Sequence, residues 1–158
     1  MDKLGVYICT GYGIGAALDV AALLKLASGE LKAEVVKTVA SCEQEDLDRI
    51  REEVKAEGIT RLVIAGPTPR FYPKNVLPSE VLCDYVNLRE QVAWSQKPGD
   101  EDTQMMAEDY LRMGVTKVRK MAPVEPFPDH DKISKDIMVV GGGVAGLTAA
   151  LECALTGY

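Results

Sequence analysis

The amino-acid sequence predicts an α/β protein built around a parallel β-sheet. Apolar, β-branched stretches of strand length alternate along the chain with longer stretches of helical periodicity, and glycine- and proline-containing turns separate them. Strands that alternate with helices form parallel sheets through right-handed crossover connections. A third observation is a cluster of glycines near residue 141, between an apolar run and a small-residue helical pattern. It indicates that a second unit of this kind begins late in the chain.

The elements of the first module follow from hydrophobic period and turn residues. Four short apolar runs predict strands, and the longer amphipathic runs between them predict helices, some of which end at glycine. The predicted strands are Leu4–Cys9, Val35–Val39, 61–65 and 84–87. The predicted helices are 14–27, 43–57 and 100–121, with shorter helical segments at 78–83 and 88–94.

These elements divide the chain into three segments. Residues 1–121 form an N-terminal module of the flavodoxin or Rossmann type, a fold in which ligands bind at the carboxyl ends of the strands. Residues 122–134 carry three prolines among charged residues, which predicts an extended linker. Residues 135–158 are the first strand and helix of a dinucleotide-binding domain.

The glycine cluster has the spacing of a dinucleotide-binding turn. Gly141, Gly143 and Gly146 form G-x-G-x-x-G between a predicted strand and a predicted helix. In such folds the first glycine permits the tight turn, the second lets the backbone approach a pyrophosphate, and the third allows close helix packing. Val144 and Ala145 begin the helix, whose free N–H groups and partial positive charge favour phosphate. A glycine-rich turn in another kind of βα unit is the alternative.

The nucleotide-binding unit is predicted to be incomplete. Such a fold needs a second strand and an acidic residue about 20 residues beyond the glycines, whereas the sequence ends at Tyr158. A single strand and helix do not form a stable sheet. We therefore expect the chain alone to bind a dinucleotide weakly or not at all.

Charge and hydropathy exclude several classes of partner. The 158 residues have a formal net charge of −6, and their lysines and arginines form no dense patch, which argues against nucleic-acid binding. No apolar stretch reaches the roughly 20 residues needed to span a bilayer, and the N-terminal residues do not form a signal peptide. We therefore expect a soluble, cytoplasmic protein.

The four cysteines are scattered along the chain. Cys9 ends the first predicted strand and Cys42 follows the second, so both should lie at the carboxyl-end edge of the sheet. Two interpretations stay open, small buried side chains or a pair of thiolate metal ligands. Cys83 should lie at the opposite end, Cys153 in the last helix and the single histidine, His130, in the linker. A complete ligand set is then predicted only if two copies of the chain share a cluster in a symmetric homodimer.

Several motifs together identify a family resemblance that covers nearly the whole chain. They are Gly5-Val6-Tyr7-Ile8-Cys9, Ser41-Cys42, Arg61-Leu62-Val63-Ile64-Ala65 with Pro69-Arg70, Val86-Asn87-Leu88-Arg89-Glu90-Gln91-Val92-Ala93-Trp94, and Val139-Val140-Gly141-Gly142-Gly143-Val144-Ala145-Gly146. With these motifs in this order, the chain resembles the N-terminal part of the A subunit of heterodisulfide reductase and its relatives, which are iron–sulfur flavoproteins. The Asn-Leu-Arg-Glu-x-x-x-Trp run is fairly specific, whereas many flavoproteins share the glycine fingerprint.

The resemblance implies cofactors, ligands and partners. It implies that the glycine turn binds FAD rather than NAD, and that 4Fe–4S clusters lie in segments of the full-length protein that this sequence lacks. Cys9 and Cys42 match cysteine positions of the family's pattern, and its further cysteine positions hold other residues here. The implied partners are other oxidoreductase subunits of a redox complex.

The resemblance also implies a function for the parent protein. It would be a flavin- and iron–sulfur-dependent electron-transfer oxidoreductase, while the fragment alone is expected to be inactive. Its N-terminal module would have a docking or structural role. The alternative is a non-catalytic, flavodoxin-like binding or assembly module with no bound cofactor.

Overall fold

The computed structural model describes residues 2–73, 77–125 and 134–158. The chain divides into two compact units, Met1–Pro123 and Val124–Tyr158. Most of the predicted linker, including His130, falls on residues 126–133, outside the described residues. The predictions for that segment therefore stay predictions.

The first unit contains a four-stranded sheet. Its strands are β1 (Leu4–Cys9), β2 (Val35–Val39), β3 (Arg61–Gly66) and β4 (Leu82–Asn87). Their order across the sheet is β2-β1-β3-β4, and every pairing is parallel. This arrangement confirms the predicted α/β module with a parallel sheet.

The helices lie between and after these strands in the sequence. They are α1 (Ile14–Ala17), α2 (Val20–Ser28), α3 (Gln44–Glu57) and α4 (Glu101–Lys120) in the first unit and α5 (Val144–Leu155) in the second. The longest, α4, packs against β3, β4 and α2. Within the described ranges no helix combines the length and apolar character needed to cross a bilayer.

The hydrophobic core is centred on the two inner strands. All six residues of β1 are buried, as are five of the six in β3. Such continuous burial is typical of parallel strands covered on both faces. Each fully buried apolar side chain, such as Ile8, Leu62 or Ile64, contributes roughly 1.5–3 kcal/mol. The strands therefore form a rigid platform for the loops that follow them.

The predicted helix at 14–27 is in fact two helices. The backbone at Leu18 is extended, and Asp19 caps α2 by accepting a hydrogen bond of 3.0 Å from the Ala22 N–H. Aspartate is a preferred N-cap because its carboxylate satisfies a backbone donor that has no partner within the helix. The apolar stripe continues through both helices and conceals the break, which Asp19 could have revealed.

The predicted short helix at 78–83 is wrong. Residues 79–81 form a turn, and β4 begins at Leu82, two residues before the predicted start. Cys83 pairs in register with Leu62 of β3. This strand pairing overrides the weak local preference for a helix, because tertiary context decides short segments.

The second unit keeps its predicted helix but not its predicted strand. Helix α5 begins at Val144, directly after the glycines. Residues 137–140 form no strand, because no other described segment pairs with them. Apolar side chains in both segments are exposed, with Val140 85% and Leu155 72% accessible.

Candidate functional site

The loops that follow β1, β2 and β3 meet at the carboxyl-end edge of the sheet, as the sequence predicts. The Thr10 N–H, just after β1, donates to the Val39 carbonyl at the end of β2 over 2.9 Å. Gly66, the last residue of β3, faces both Cys9 and Cys42. Three strands therefore bring two cysteines and one glycine to a common position.

The thiols of Cys9 and Cys42 lie next to each other in the interior. Neither residue has accessible surface, and both lie against Gly66. The Cys9 thiol donates to the Ala40 carbonyl at 3.7 Å, and the two thiols are close enough for each to shift the other's pKa. Gly66 makes this arrangement possible because a Cβ there would lie 2.8 Å from Cys9 Cβ and 3.4 Å from Cys42 Sγ. The cysteine pair, Cys9 and Cys42, is thus enclosed by the ends of three strands.

Asp46 holds the turn that carries Cys42. Its Oδ2 accepts hydrogen bonds from the Ser41 N–H at 2.7 Å, the Cys42 N–H at 3.1 Å and the Ser41 hydroxyl at 3.2 Å. Its Oδ1 pairs with Arg49 at 3.0 Å. Cys42 has a φ of +56°, which costs energy for a residue with a side chain. The carboxylate compensates by satisfying the backbone donors that this turn leaves without a strand partner.

The proximity of the two thiols shifts their pKa values in opposite directions. The hydrogen bond from Cys42 stabilises the Cys9 thiolate and lowers the pKa of Cys9 below its ordinary value, although burial opposes this. The same contact, together with burial, raises the pKa of Cys42. Cys9 is therefore the thiol that ionises first, with Cys42 as its hydrogen-bond donor.

Tyr72 places a hydroxyl beside the cysteine pair. The residue is 8% accessible, and its hydroxyl has no hydrogen-bond partner within normal distance among the described residues. The ring stacks on Tyr85 with 4.3 Å between centroids. Burial, and then the neighbouring Cys42, raise the pKa of Tyr72, so the hydroxyl stays protonated. The buried donor faces the space that Gly66 leaves open.

Cys9 and Cys42 do not by themselves make up the ligand set of an iron–sulfur cluster. A four-iron cluster is normally held by four cysteines, and the described residues contain no group of three or more cysteine, histidine or carboxylate ligands. Cys83 lies near the start of β4, at the opposite end of the sheet, and Cys153 lies in α5. Metal binding by Cys9 and Cys42 stays a prediction that would require ligands from elsewhere.

Three aromatic rings surround the guanidinium of Arg89 near the same edge. Arg89 Cζ lies 4.9 Å from the ring centroid of Tyr12, 5.0 Å from that of Phe71 and 4.8 Å from that of Trp94. Arg89 also pairs with Glu90 at 2.6 Å. Trp94 closes the arrangement with an indole N–H that donates 2.7 Å to the Tyr12 carbonyl.

Sequence reasoning did not find this aromatic cluster. Arg89 and Trp94 are five residues apart, a spacing that does not place side chains together on an α-helix. The segment Arg89–Ala93 is instead a π-helical turn, in which the Trp94 N–H donates to the Arg89 carbonyl at 2.9 Å. The presence of one arginine and one tryptophan in a single short motif was the available signal.

The glycine turn of the second unit has a defined geometry. Gly141 has a φ of +113°, and a Cβ on Gly146 would overlap the Gly141 carbonyl oxygen. Both positions therefore require glycine. Gly143 is the N-cap of α5 and faces open space. Val144 and Ala145 follow as the first residues of the helix, so their N–H groups have no intrahelical partner. This arrangement fits a bound phosphate group.

The chain is similar to known proteins along nearly its whole length, although no family model matches it. It is 34% identical to the A subunit of the ferredoxin:CoB-CoM heterodisulfide reductase of Methanosarcina mazei, over 99% of the chain and 21% of the relative. It is 32% identical to the A subunit of the H(2):CoB-CoM heterodisulfide,ferredoxin reductase of Methanothermobacter marburgensis, over 99% of the chain and 25% of the relative. The chain is homologous to the N-terminal region of the heterodisulfide reductase A subunit.

A third relative carries a name that refers to iron and sulfur. It is one of two proteins of Methanopyrus kandleri named as the iron-sulfur A subunit of CoB–CoM heterodisulfide reductase, and it is 27% identical over 99% of the chain and 24% of the relative. The chain therefore spans about a quarter of the length of the A-subunit relatives it matches. The family resemblance seen in the sequence motifs is confirmed.

Proposed function

We propose that the chain is the N-terminal portion of an FAD-dependent electron-transfer oxidoreductase of the heterodisulfide reductase A-subunit type. The observation that supports this best is the glycine turn, whose backbone leaves the start of α5 open. The turn occurs in a chain of which 99% aligns with the A subunit. We assign this turn to the pyrophosphate of FAD.

Each residue of the turn has a separate part in holding that group. Gly141 provides the left-handed backbone that reverses the chain before the helix. Gly143 keeps side-chain atoms away from the phosphate, and the N–H groups of Val144 and Ala145 donate to it. Gly146 lets α5 approach the Gly141 carbonyl closely. FAD, when bound, supplies the electron-transfer chemistry.

The first unit has a docking or structural role in this proposal. It has a hydrophobic core of its own residues, in which β1 and β3 are buried. Its partners are other subunits of a cytoplasmic redox complex, and 4Fe–4S clusters lie in other parts of the full-length protein. The names of the relatives, which specify a subunit and, in two cases, iron and sulfur, support the subunit partners and the clusters.

A matched pair of glycine variants in the full-length gene product tests the flavin assignment. Gly143→Ala adds a methyl group that would have no atom of the described residues within 4 Å but would occupy the path to the pyrophosphate. Gly142→Ala, whose methyl group would also have none of these atoms within 4 Å, is the control. We expect the control to keep visible flavin absorbance and to release FAD on denaturation, whereas Gly143→Ala loses bound FAD at least about tenfold, an energetic difference of roughly 1.4 kcal/mol.

Absence of flavin from the unmodified full-length protein would overturn the proposal. Equal flavin content in Gly142→Ala and Gly143→Ala would instead place the pyrophosphate elsewhere. The 158-residue chain alone should bind FAD weakly or not at all, because the described part of the second unit contributes a single helix. Tight copurification of FAD with this chain would contradict that expectation.

A further inference from the structure

We propose that Cys9 and Cys42 form a reversible disulfide, so that the cysteine pair is a two-electron redox centre of the first unit. The proposal goes beyond the flavin assignment and does not depend on it. It rests on the enclosure of two adjacent thiols by three strand ends, at a position where the described residues supply no further metal ligand. Two neighbouring thiols with no further metal ligand beside them among the described residues share one redox reaction, which is the formation of a disulfide.

The elements that carry Cys9 and Cys42 decide how the two sulfur atoms can approach each other to form a disulfide. Cys9 belongs to β1, where it is paired in register with Val39 of β2. Cys42 lies in the turn after β2, held by Asp46 through its own N–H. The sulfur atoms must approach to about 2.05 Å. That movement falls on the turn of Cys42, because the strand fixes Cys9.

Gly66 and Tyr72 supply the space and the hydrogen-bond donor for this movement. A side chain at position 66 would press on Cys9 Cβ and Cys42 Sγ, so the glycine leaves the path between them free. The Tyr72 hydroxyl is buried without a partner among the described residues and lies beside Cys42. An unpaired buried donor is costly. The Cys42 sulfur is the acceptor that the hydroxyl can reach.

The oxidation can be written with a peroxide as the two-electron acceptor. The Cys9 thiolate attacks one oxygen of hydrogen peroxide, the O–O bond breaks, and the hydroxide that leaves takes up a proton to become water. Cys9 is then a sulfenic acid. The Cys42 sulfur attacks the Cys9 sulfur, the S–O bond breaks, and the proton of Cys42 leaves with the oxygen as a second water. Two thiols lose two electrons in total, and a dithiol reductant restores them by exchange.

Peroxide is a suitable oxidant because the cysteine pair has no accessible surface. A molecule close to water in size can reach a buried site through small fluctuations of the turn. A bulky disulfide would have to form a mixed disulfide inside the core, where packing leaves little free volume. The enclosed position therefore favours an intramolecular disulfide over modification by larger thiol reagents.

Peptide mapping of the oxidised chain tests the proposal. The full chain is reduced with dithiothreitol, freed of reductant, treated with hydrogen peroxide, denatured, alkylated with iodoacetamide and digested without reductant. We expect a crosslinked pair of peptides containing Cys9 and Cys42, lighter by two hydrogen atoms, and a joint loss of alkylation at both positions. Cys83 and Cys153 should stay alkylated. Dithiothreitol should restore alkylation of Cys9 and Cys42 together.

Two variants separate disulfide formation from loss of folding. Cys42→Ser should abolish the crosslink and leave Cys9 to oxidise beyond the sulfenic acid, whereas Cys83→Ser should crosslink as the unmodified chain does. Independent alkylation of Cys9 and Cys42 after peroxide treatment of the unmodified chain would overturn the proposal. Copurification of iron and acid-labile sulfide that blocks both thiols would also overturn it, in favour of a cluster with ligands from another chain. Neither result depends on the presence of flavin.

Discussion

The Cys42 N–H donates a hydrogen bond of 3.1 Å to Oδ2 of Asp46, four residues further along the chain. The same oxygen accepts from the Ser41 N–H at 2.7 Å. One carboxylate thus replaces the sheet partners that the backbone loses after β2, and it allows Cys42 to adopt its positive φ. The position of the Cys42 thiol beside Cys9 therefore depends on a residue of α3.

Replacing Asp46 by asparagine should destabilise the first unit by roughly 1–3 kcal/mol, since hydrogen bonds to a charged group are worth this much when one partner is lost. The neutral amide also loses its ion pair with Arg49. Urea unfolding followed by circular dichroism measures the change. Asp48→Asn is the matched control, because Asp48 lies in the same helix with a side chain 48% exposed. We expect the control to cost less than about 0.5 kcal/mol.

The same carboxylate should make stability depend on acidity. Burial on its own would raise the pKa of Asp46, but the hydrogen bonds from Ser41 and Cys42 outweigh burial and hold this pKa below its ordinary value of 3.8. A lowered pKa in the folded state gives stability that is present above the unfolded pKa and is lost as the pH falls through the folded pKa. Urea midpoints measured from about pH 6 down to about pH 3 should fall less steeply in Asp46→Asn. Parallel curves for the two proteins would contradict the assignment.

Gly114 in α4 should not tolerate alanine. Alanine normally stabilises a helix by about 1 kcal/mol relative to glycine, but a Cβ at this position would overlap Val86 Cγ2 of β4. Overpacking of a core typically costs roughly 1–3 kcal/mol, so we expect net destabilisation. Thermal unfolding of Gly114→Ala measures it.

Two further variants show whether the overlap is the cause. Thr116→Ala, at an exposed position of the same helix, should be neutral or slightly stabilising. The double variant Gly114→Ala with Val86→Ala should recover part of the loss, because neighbouring residues couple in a double-mutant cycle. Stabilisation by Gly114→Ala alone would mean that α4 can move away from β4 at low cost.

The arrangement of the sheet could be predicted from the sequence because it depends on element order. Alternation of strands and helices fixes a parallel sheet, and the carboxyl ends of β1 and β2 place Cys9 and Cys42 on the same edge. Cys83 could be assigned to the opposite end by the same argument. These conclusions require only the direction of each strand, which the sequence contains.

The details of the site could not be predicted because they depend on contacts between distant residues. Nothing local marks Gly66 as the position where a Cβ would press on Cys9. Tyr72 follows a short 3₁₀ turn and reaches the cysteine pair through the tertiary fold alone. The π-helical turn that joins Arg89 to Trp94 has a period that helix templates do not include.

Replacing Arg89 by lysine should destabilise the first unit by roughly 0.5–2 kcal/mol, the range of cation–π interactions from exposed to desolvated sites. The guanidinium lies 4.8–5.0 Å from three ring centroids, and its side chain is 12% exposed. A lysine ammonium keeps the charge but cannot stack on the rings as a plane. Chemical unfolding followed by the fluorescence of Trp94, the single tryptophan, reports the change. Arg70→Lys, at an exposed position near this edge, is the control and should leave the unfolding curve unchanged.

Gly66 provides the sharpest test of how the cysteine pair is packed, because a second strand glycine offers a matched comparison. A Cβ at Gly66 would lie 2.8 Å from Cys9 Cβ, an atom fixed to the backbone of β1. A Cβ at Gly5 would lie 2.9 Å from Ile59 Cδ1, the flexible end of a side chain that can rotate away. The added methyl group is thus equally crowded at both positions, but its neighbour is rigid at Gly66 and movable at Gly5.

Gly66→Ala should cost roughly 1–3 kcal/mol by overpacking and should slow the peroxide-driven crosslinking of Cys9 to Cys42. Gly5→Ala should unfold at a higher urea concentration than Gly66→Ala and should crosslink normally. Equal costs for the two variants would show that β1 and β3 separate easily at their carboxyl ends, which would remove the physical basis for an enclosed cysteine pair.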